Sequence, residues 1–417
     1  MKNKLIENII SLATIKGLEY LLAFITFPYL VRVLEVEKYG LLVFAQSIMQ
    51  YFVLFTDYGF NLLGPREIAQ HDIKQERGKL FSNIFAAKLL LLILSTAVFS
   101  VILLCVNLYK NTDITIYLVV YLMVIGNVLF PIWFFQGIQQ MRYITVVNII
   151  ARAFSVLGIF IFVQGREDYL VAALCQAIVP LIAAVCSWII LLKCYPEVFV
   201  LPDWPGVRKL FKDGWNIFFS TIAINLYTAS NIVFLGMLTN NVVVGYFSGA
   251  KKIIDNLTQL MSPVTQAIYP YVSKKAAASQ NEAINFLRKI VIFLGGGNLA
   301  ISLLIFIFAN QIVKILLGDG HEESVLLLRI MSALPFLIAM SNIFGIQTML
   351  TFGMQKQFSR IIGMAAVVNT VIVLPAIYYY ADIGVSTTIV GTECFVTMSM
   401  WYVLKKCGIN LLKRVNL

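Results

Sequence analysis

The feature that most constrains this chain is the recurrence of apolar windows long enough to cross a hydrocarbon layer, which takes about twenty residues. They fall near residues 9–30, 41–63, 80–104, 115–136, 144–164 and 169–192, and again near 215–238, 245–272, 289–309, 325–350, 360–380 and 385–404. Inside a bilayer each backbone N–H and C=O must be satisfied within the segment, so such windows are read as helices. Composition agrees with this. Of the 417 residues, 60% are hydrophobic and 13% are charged, whereas charged residues make up about 25% of an ordinary globular chain. The expected fold is an all-α polytopic membrane protein with about twelve transmembrane helices in two pseudo-symmetric six-helix lobes.

Two copies of one bundle are suggested by a weak repeat. At a constant offset of about 205 residues, Gly40, Ala45 and Pro65 find Gly245, Ala250 and Pro270, a parallel repeat of the kind many transporters show. Residues 193–213 interrupt the apolar windows with Pro196, Pro202, Pro205, Arg208, Lys209 and Lys212. They are expected to form a cytoplasmic linker between lobes spanning 1–192 and 214–417. Lysine and arginine concentrate in the termini and alternate loops, including Lys2, Lys4, Arg66, Lys74, Arg77, Lys274, Lys275, Lys405 and Lys406. By the positive-inside rule both termini are then cytoplasmic. Trp133, Trp188, Trp215 and Trp401 fall near the basic ends of their windows, where interfacial aromatics are expected. The basic start Met1-Lys-Asn-Lys4 leads into an apolar run without a small-residue cleavage site, so it reads as a retained first helix.

Several function classes are disfavoured. The net charge of +11 is spread over short loops rather than gathered into a patch, which points away from nucleic acid as a partner and toward the lipid bilayer. Cys105, Cys175, Cys186, Cys194, Cys394 and Cys407 have neither disulfide-framework nor metal-site spacing. His71 and His321 stand alone, and metal sites need clustered ligands. There is no Gly-x4-Gly-Lys-Ser/Thr phosphate loop, and no loop is long enough to hold a soluble active site. The chain is therefore not expected to be an enzyme or to carry a metal or organic cofactor. A coupling ion, H+ or Na+, is the one small ligand left open. Gly245 and Gly249 have small-residue helix-contact spacing. Gly295, Gly296 and Gly297 would soften a helix, since each glycine disfavours a helix interior by about 1 kcal/mol.

Chemistry is carried by ten ionisable residues inside the windows: Lys16, Glu19, Asp57, Lys88, Arg152, Lys251, Lys252, Asp255, Arg329 and Glu393. On insertion scales each costs roughly 2.5–3.5 kcal/mol at the membrane centre, so such groups line a pathway or pair. Lys16 and Glu19 are three apart, and Asp255 lies three and four positions from Lys252 and Lys251, spacings that allow pairing on one helix face. Lys88, Arg152 and Arg329 have no acidic neighbour within one turn and must face another helix, water or an anionic ligand. Arg329 is near enough to a window end to snorkel. The cationic set, Lys88, Arg152, Lys16, Lys251, Lys252 and Arg329, is the candidate set for an anionic substrate. Asp57, Glu19, Asp255 and Glu393 are candidates for coupling or charge pairing.

The runs Phe27-Pro-Tyr-Leu-Val-Arg-Val-Leu34, Tyr39-Gly40, Asp57-Tyr-Gly-Phe-Asn61 and Arg66-Glu-Ile-Ala69 resemble the first quarter of Wzx-type O-antigen flippases. Pro131-Ile-Trp-Phe-Phe-Gln-Gly137, Leu226-Tyr-Thr228, Val244-Gly-Tyr246, Ala250 and Tyr269-Pro270 extend the resemblance to about residue 275. It implies a fold akin to multidrug and toxin extrusion transporters, placed in a bacterial inner membrane. The implied activity is movement of undecaprenyl-pyrophosphate-linked oligosaccharide, an O-antigen or similar repeat unit, from the cytoplasmic to the periplasmic leaflet by alternating access. Polysaccharide polymerase machinery is the implied protein partner. On that reading the cationic set meets the pyrophosphate. The competing readings are a cation-coupled drug or metabolite antiporter of the same fold, which calls for an acid-dominated cavity, and an integral-membrane glycosyltransferase or polymerase, which calls for a large catalytic loop.

Overall fold

The computed structural model describes residues 2–70, 74–109, 113–228, 230–259 and 261–411. His71 and the side chains of Lys16 and Glu19 lie outside the described set. Among the described residues the chain is helical throughout and forms no strand. Two compact units are present, Met1–Ala223 and Ile224–Leu417. The first carries α1 (Lys2–Asp57), α2 (Phe60–Gln70), α3 (Lys74–Tyr109), α4 (Ile114–Leu129), α5 (Ile132–Gly137), α6 (Met141–Phe162), α7 (Tyr169–Ala177), α8 (Val179–Cys194) and most of α9 (Trp204–Thr228). The second carries α10 (Ser230–Leu238), α11 (Asn241–Gln259), α12 (Ser262–Ala278), α13 (Gln280–Ile290), α14 (Gly296–Leu316), α15 (Glu322–Met331), α16 (Leu334–Asn342) and α17 (Gln355–Lys406).

Eight helical segments among the described residues are long and apolar enough to cross a membrane. The longest two, Phe24–Gln70 with 47 residues and Gln355–Lys406 with 52, would each measure about 70 Å or more if straight. That is over twice the hydrocarbon thickness of about 30 Å, so each must turn back. The first turns at Glu35 (φ 58°), where the charged run Arg32–Lys38 cannot stay in hydrocarbon. The Phe27 and Tyr39 rings then face each other at 6.2 Å, and Arg166 clasps Glu35 and Glu37 at 3.1 and 2.6 Å. The second turns at Ala381 (φ 46°). Gly384 is needed there, because a Cβ would sit 2.0 Å from the Ala376 carbonyl oxygen. Asn369 in the first arm donates to Thr392 in the second at 3.2 Å. The windows at 215–238 and 245–272 fall on α9–α12. This is an all-α, multi-pass membrane protein.

The core of the first unit is aromatic. Trp133, Phe134 and Phe135 on the short helix α5 are all buried, and Phe81 packs against Trp133 and Phe134 at 5.2 Å each. Trp133 is 0% exposed, which corrects its expected place in an interfacial belt: the Trp-Phe-Phe run packs the protein interior. The segment 193–213 is folded onto α3. Ser82 donates to the Val198 carbonyl at 3.0 Å, and Asn83 exchanges hydrogen bonds with Asp203 at 2.6 and 2.8 Å. The Asn83 amide, aided by Lys79 at 3.5 Å, holds the Asp203 carboxyl below its ordinary pKa. The edge of the first unit falls after Ala223, within α9. In the second unit Leu287, Ile343, Phe344, Ile361 and Met400 form the core.

Candidate functional site

The second expected span breaks where its deep charge lies. α1 ends at Asp57, Tyr58 (φ 50°) and Gly59 (φ 82°) are left-handed, and α2 restarts at Phe60. For a non-glycine residue that conformation costs about 1–2 kcal/mol, so packing must hold it. The Tyr58 ring stacks on Phe218 at 4.6 Å and meets Phe211 edge-on at 5.2 Å, and its hydroxyl donates to the Phe211 carbonyl at 3.2 Å. Gly59 has a second reason to be glycine, since a Cβ would lie 2.6 Å from Ile217 Cγ2. A broken membrane helix frees the last carbonyls of its first half, a locus of partial negative charge. Such a break is tolerated at membrane depth only within protein or beside a polar cavity.

Lys88 answers that charge. On α3, Ile84, Lys88, Leu91 and Ser95 share one helical face, and all four are buried. Lys88 is 2% exposed, and its Nζ lies 3.4 Å from Asp57 Oδ1. An isolated buried ammonium is strongly unfavourable; the Asp57 carboxylate and the end of α1 offset that cost. Two turns further along the same face, the Ser95 and Thr96 hydroxyls meet the Tyr121 hydroxyl at 3.0 and 2.9 Å. Tyr121 stacks on Phe99 at 4.3 Å, with Phe52 edge-on to both. A polar and aromatic tract therefore runs along α3 beside α1 and α4. Sequence reasoning passed over Ser95, Thr96 and Tyr121. The available signal was the seven-residue spacing from Lys88 to Ser95.

The other candidate residues are distributed as follows. Arg152 is half-buried on α6 and is engaged by a neighbour. Lys251 pairs with Asp255 at 2.8 Å, the i,i+4 partner its spacing predicts, and Lys252 is half-buried and engaged. Arg329 is exposed in the last turn of α15, where a cation suits the helix dipole. Glu393 on the second arm of α17 meets a hydroxyl rather than a cation among the described residues, with Ser341 Oγ 2.5 Å away. Ser341 Oγ also lies 3.1 Å from the Ile338 carbonyl oxygen. The Ser341 hydroxyl donates to Glu393 Oε1, with the Ile338 carbonyl as its alternative acceptor. No cluster of three or more His, Cys, Asp or Glu side chains exists among the described residues.

Comparison with known proteins agrees with this architecture. The model of the polysaccharide biosynthesis protein family matches residues 5–276. A protein of Escherichia coli (strain K12) named "Putative O-antigen transporter" is 34% identical over 400 residues, covering 96% of both chains. A protein of Shigella dysenteriae with the same name is 28% identical over 400 residues, covering 96% of this chain and all of that one. Among solved structures, the inward closed lipid II flippase MurJ aligns with a TM-score of 0.70 at 14% identity, covering 95% of this chain and 87% of that one. An inward-facing multidrug resistance MATE family transporter of the MOP superfamily aligns with a TM-score of 0.68 at 14% identity, covering 95% and 96%. At that identity the two structures establish the fold.

Proposed function

We propose, on the premise that this chain belongs to the polysaccharide biosynthesis protein family, that it moves lipid-linked saccharide across a bacterial inner membrane. The substrate is undecaprenyl-pyrophosphate-linked oligosaccharide, an O-antigen or similar repeat unit, and it passes from the cytoplasmic to the periplasmic leaflet by alternating access. Both termini are then cytoplasmic. The protein acts as a transporter and makes no covalent bond.

The observation that carries this reading is the buried Lys88–Asp57 pair at the break between α1 and α2. Lys88 is a point charge with three donors, suited to a phosphate oxygen. Asp57 is a resident stand-in that keeps it neutralised when no substrate is bound. A pyrophosphate, carrying more charge than one carboxylate, competes for Lys88. The ammonium passes from Asp57 to the pyrophosphate in that exchange, and the pair re-forms once substrate leaves. Asp57 and Glu393 are the acids that a coupling ion, H+ or Na+, meets on this reading.

The test is a null strain with lipid-linked intermediates extracted and surface polysaccharide measured, complemented by Lys88 variants at equal membrane protein level. Accumulation of lipid-linked saccharide in the null strain, export with Lys88→Arg well above that with Lys88→Gln, and full export with wild type are expected. A null strain without accumulation, losing drug resistance instead, would replace this reading with the antiporter.

A further inference from the structure

We infer that a cavity of mixed polar and apolar lining within the C-terminal unit is the subsite for a single neutral sugar ring of the transported saccharide, an inference that rests on the transport reading above. The cavity holds about 260 Å³, is open on one side, and is lined by Thr258, Gln259, Thr265, Asn298 and Asn342 beside a larger apolar surface that includes Leu294. Every residue lining it is uncharged. The charged pair nearest along the chain, Lys251 and Asp255, closes on itself at 2.8 Å, and Thr258 bonds back to the Asp255 carbonyl at 3.0 Å.

This chemistry selects among the parts of the substrate. A pyrophosphate would find no cation here. An alkyl chain would leave amides and hydroxyls buried against it without partners. A sugar ring presents a rim of hydroxyls that donate and accept, together with C–H faces, and so matches amides interleaved with apolar walls. Size narrows it further. The space, about 260 Å³, falls just below the roughly 300 Å³ at which pockets for larger ligands begin. One ring fits within it, and further sugars extend through its open side.

Two further observations distinguish the cavity from a packing void, which would be apolar and dry. The helices flanking it change to π-helix at its walls. Val291–Gly295 contributes Leu294, and Ile343–Leu350 begins at the residue after Asn342. Such π segments concentrate at functional sites. The lining amides are also held in place. Gln347, 2% exposed and not itself in the lining, ties two lining residues together: it donates to the Thr265 carbonyl at 2.9 Å and reaches Asn342 Oδ1 at 3.5 Å. Asn298, 4% exposed, directs its amide N–H to the Leu294 carbonyl at 2.8 Å, which leaves its carbonyl oxygen as the acceptor for a guest.

Ala339 also lines the cavity, so Ala339→Leu fills it with methyl groups. Purified Ala339→Leu is expected to melt at or above the wild-type temperature while surface polysaccharide output falls at least tenfold at equal membrane protein level. Unchanged export would overturn the subsite. Should Ala339→Leu fail to fold, Asn342→Cys in a chain lacking the native cysteines supplies the second arm. Its maleimide labelling in nanodiscs is followed with lipid-linked saccharide extracted from the null strain, and with undecaprenyl pyrophosphate that carries no sugar. About tenfold slowing by the saccharide-bearing lipid alone is expected. Equal rates with both, or equal slowing by both, overturns the sugar subsite and leaves the transport reading standing. A null strain that accumulates no lipid-linked saccharide removes the transport reading, and this subsite with it.

Discussion

Asp57→Asn separates the two roles that the Lys88–Asp57 pair could play. At 3.4 Å and an effective dielectric constant near 20, the gross attraction between the charges is about 5 kcal/mol. Removing one partner of a buried pair costs about 3–5 kcal/mol, because the other charge stays buried without compensation. Lys88 is the deeper member, 2% exposed against 17% for Asp57, so the loss of Asp57 is the more damaging single change. It should destabilise by about 3 kcal/mol, whereas Lys88→Gln leaves a partly solvated carboxylate and should cost about 1–2 kcal/mol. For a unit of this size each kcal/mol moves Tm by about 2–4 °C, so Asp57→Asn should melt about 6–12 °C below wild type. The double variant Asp57→Asn/Lys88→Gln has no stranded charge and should return close to the wild-type Tm. Export should not follow stability. Asp57→Asn keeps the ammonium and part of its activity, while Lys88→Gln and the double variant lose export at normal membrane levels. The assay pairs detergent melting curves with surface polysaccharide output for all four proteins. If the double variant regains both stability and export, Lys88 is only a counter-ion and the exchange mechanism is wrong.

Three other outcomes are expected. Gly59→Ala forces a Cβ to within 2.6 Å of Ile217 Cγ2 at φ +82°, and should lower Tm by an amount equivalent to at least about 1 kcal/mol; Ile217→Ala in addition should recover only the steric share, so complete recovery would show that backbone strain contributes nothing. His321 lies between α14 and α15, 4% exposed, and burial lowers its pKa. Its unfolded state therefore binds protons more readily, and stability present above the ordinary histidine value of about 6.5 should decline as pH falls from there toward the lowered folded value. His321→Asn should flatten Tm between pH 7.5 and 5.5, and an unaltered slope would assign the acid sensitivity elsewhere. Cysteine introduced at Asn240 in a chain without native cysteines should react with an impermeant thiol reagent outside spheroplasts, and one at Pro202 should not; the reverse pattern would invert the topology.

Some of this structure was legible in the residues because the physics behind it is local. The spacing of Lys251 and Asp255 predicts an i,i+4 pair, and the pair is present at 2.8 Å. The apolar windows anticipate where helices run, and the charges of Arg32–Lys38 anticipate that the chain must turn there. Gly295, Gly296 and Gly297 mark a softened helix, and the π segment Val291–Gly295 ends at the first of them. Partners distant in sequence were not legible. That Lys88 takes Asp57, 31 residues away, depends on a helix break set by the packing of Tyr58 against Phe211 and Phe218 some 150 residues further on. The cavity among Thr258, Asn298 and Asn342 depends on how three stretches of chain meet, and no spacing reports that. Trp133 misled because a tryptophan near the end of an apolar window looks the same in sequence whether it faces headgroups or a core.

The pairings also change what an excess of buried cations can mean. Counted along the sequence, six cations against four acids within the windows suggest a standing positive path for an anionic lipid. In the structure Lys88 is neutralised by Asp57 and Lys251 by Asp255, and Arg329 is exposed. A fixed positive lining would hold a pyrophosphate tightly and release it slowly, since the ligand shifts an equilibrium only by its differential affinity for the two states. A cation already matched to a carboxylate can be lent to the substrate and taken back. Restoring a carboxylate one turn away, as Asp57→Asn with Val53→Asp, should rebuild a charge pair without rebuilding the exchange at the helix break. That variant should recover stability ahead of export; equal recovery of both would mean that any nearby carboxylate suffices and that the break at Tyr58 and Gly59 has no part in transport.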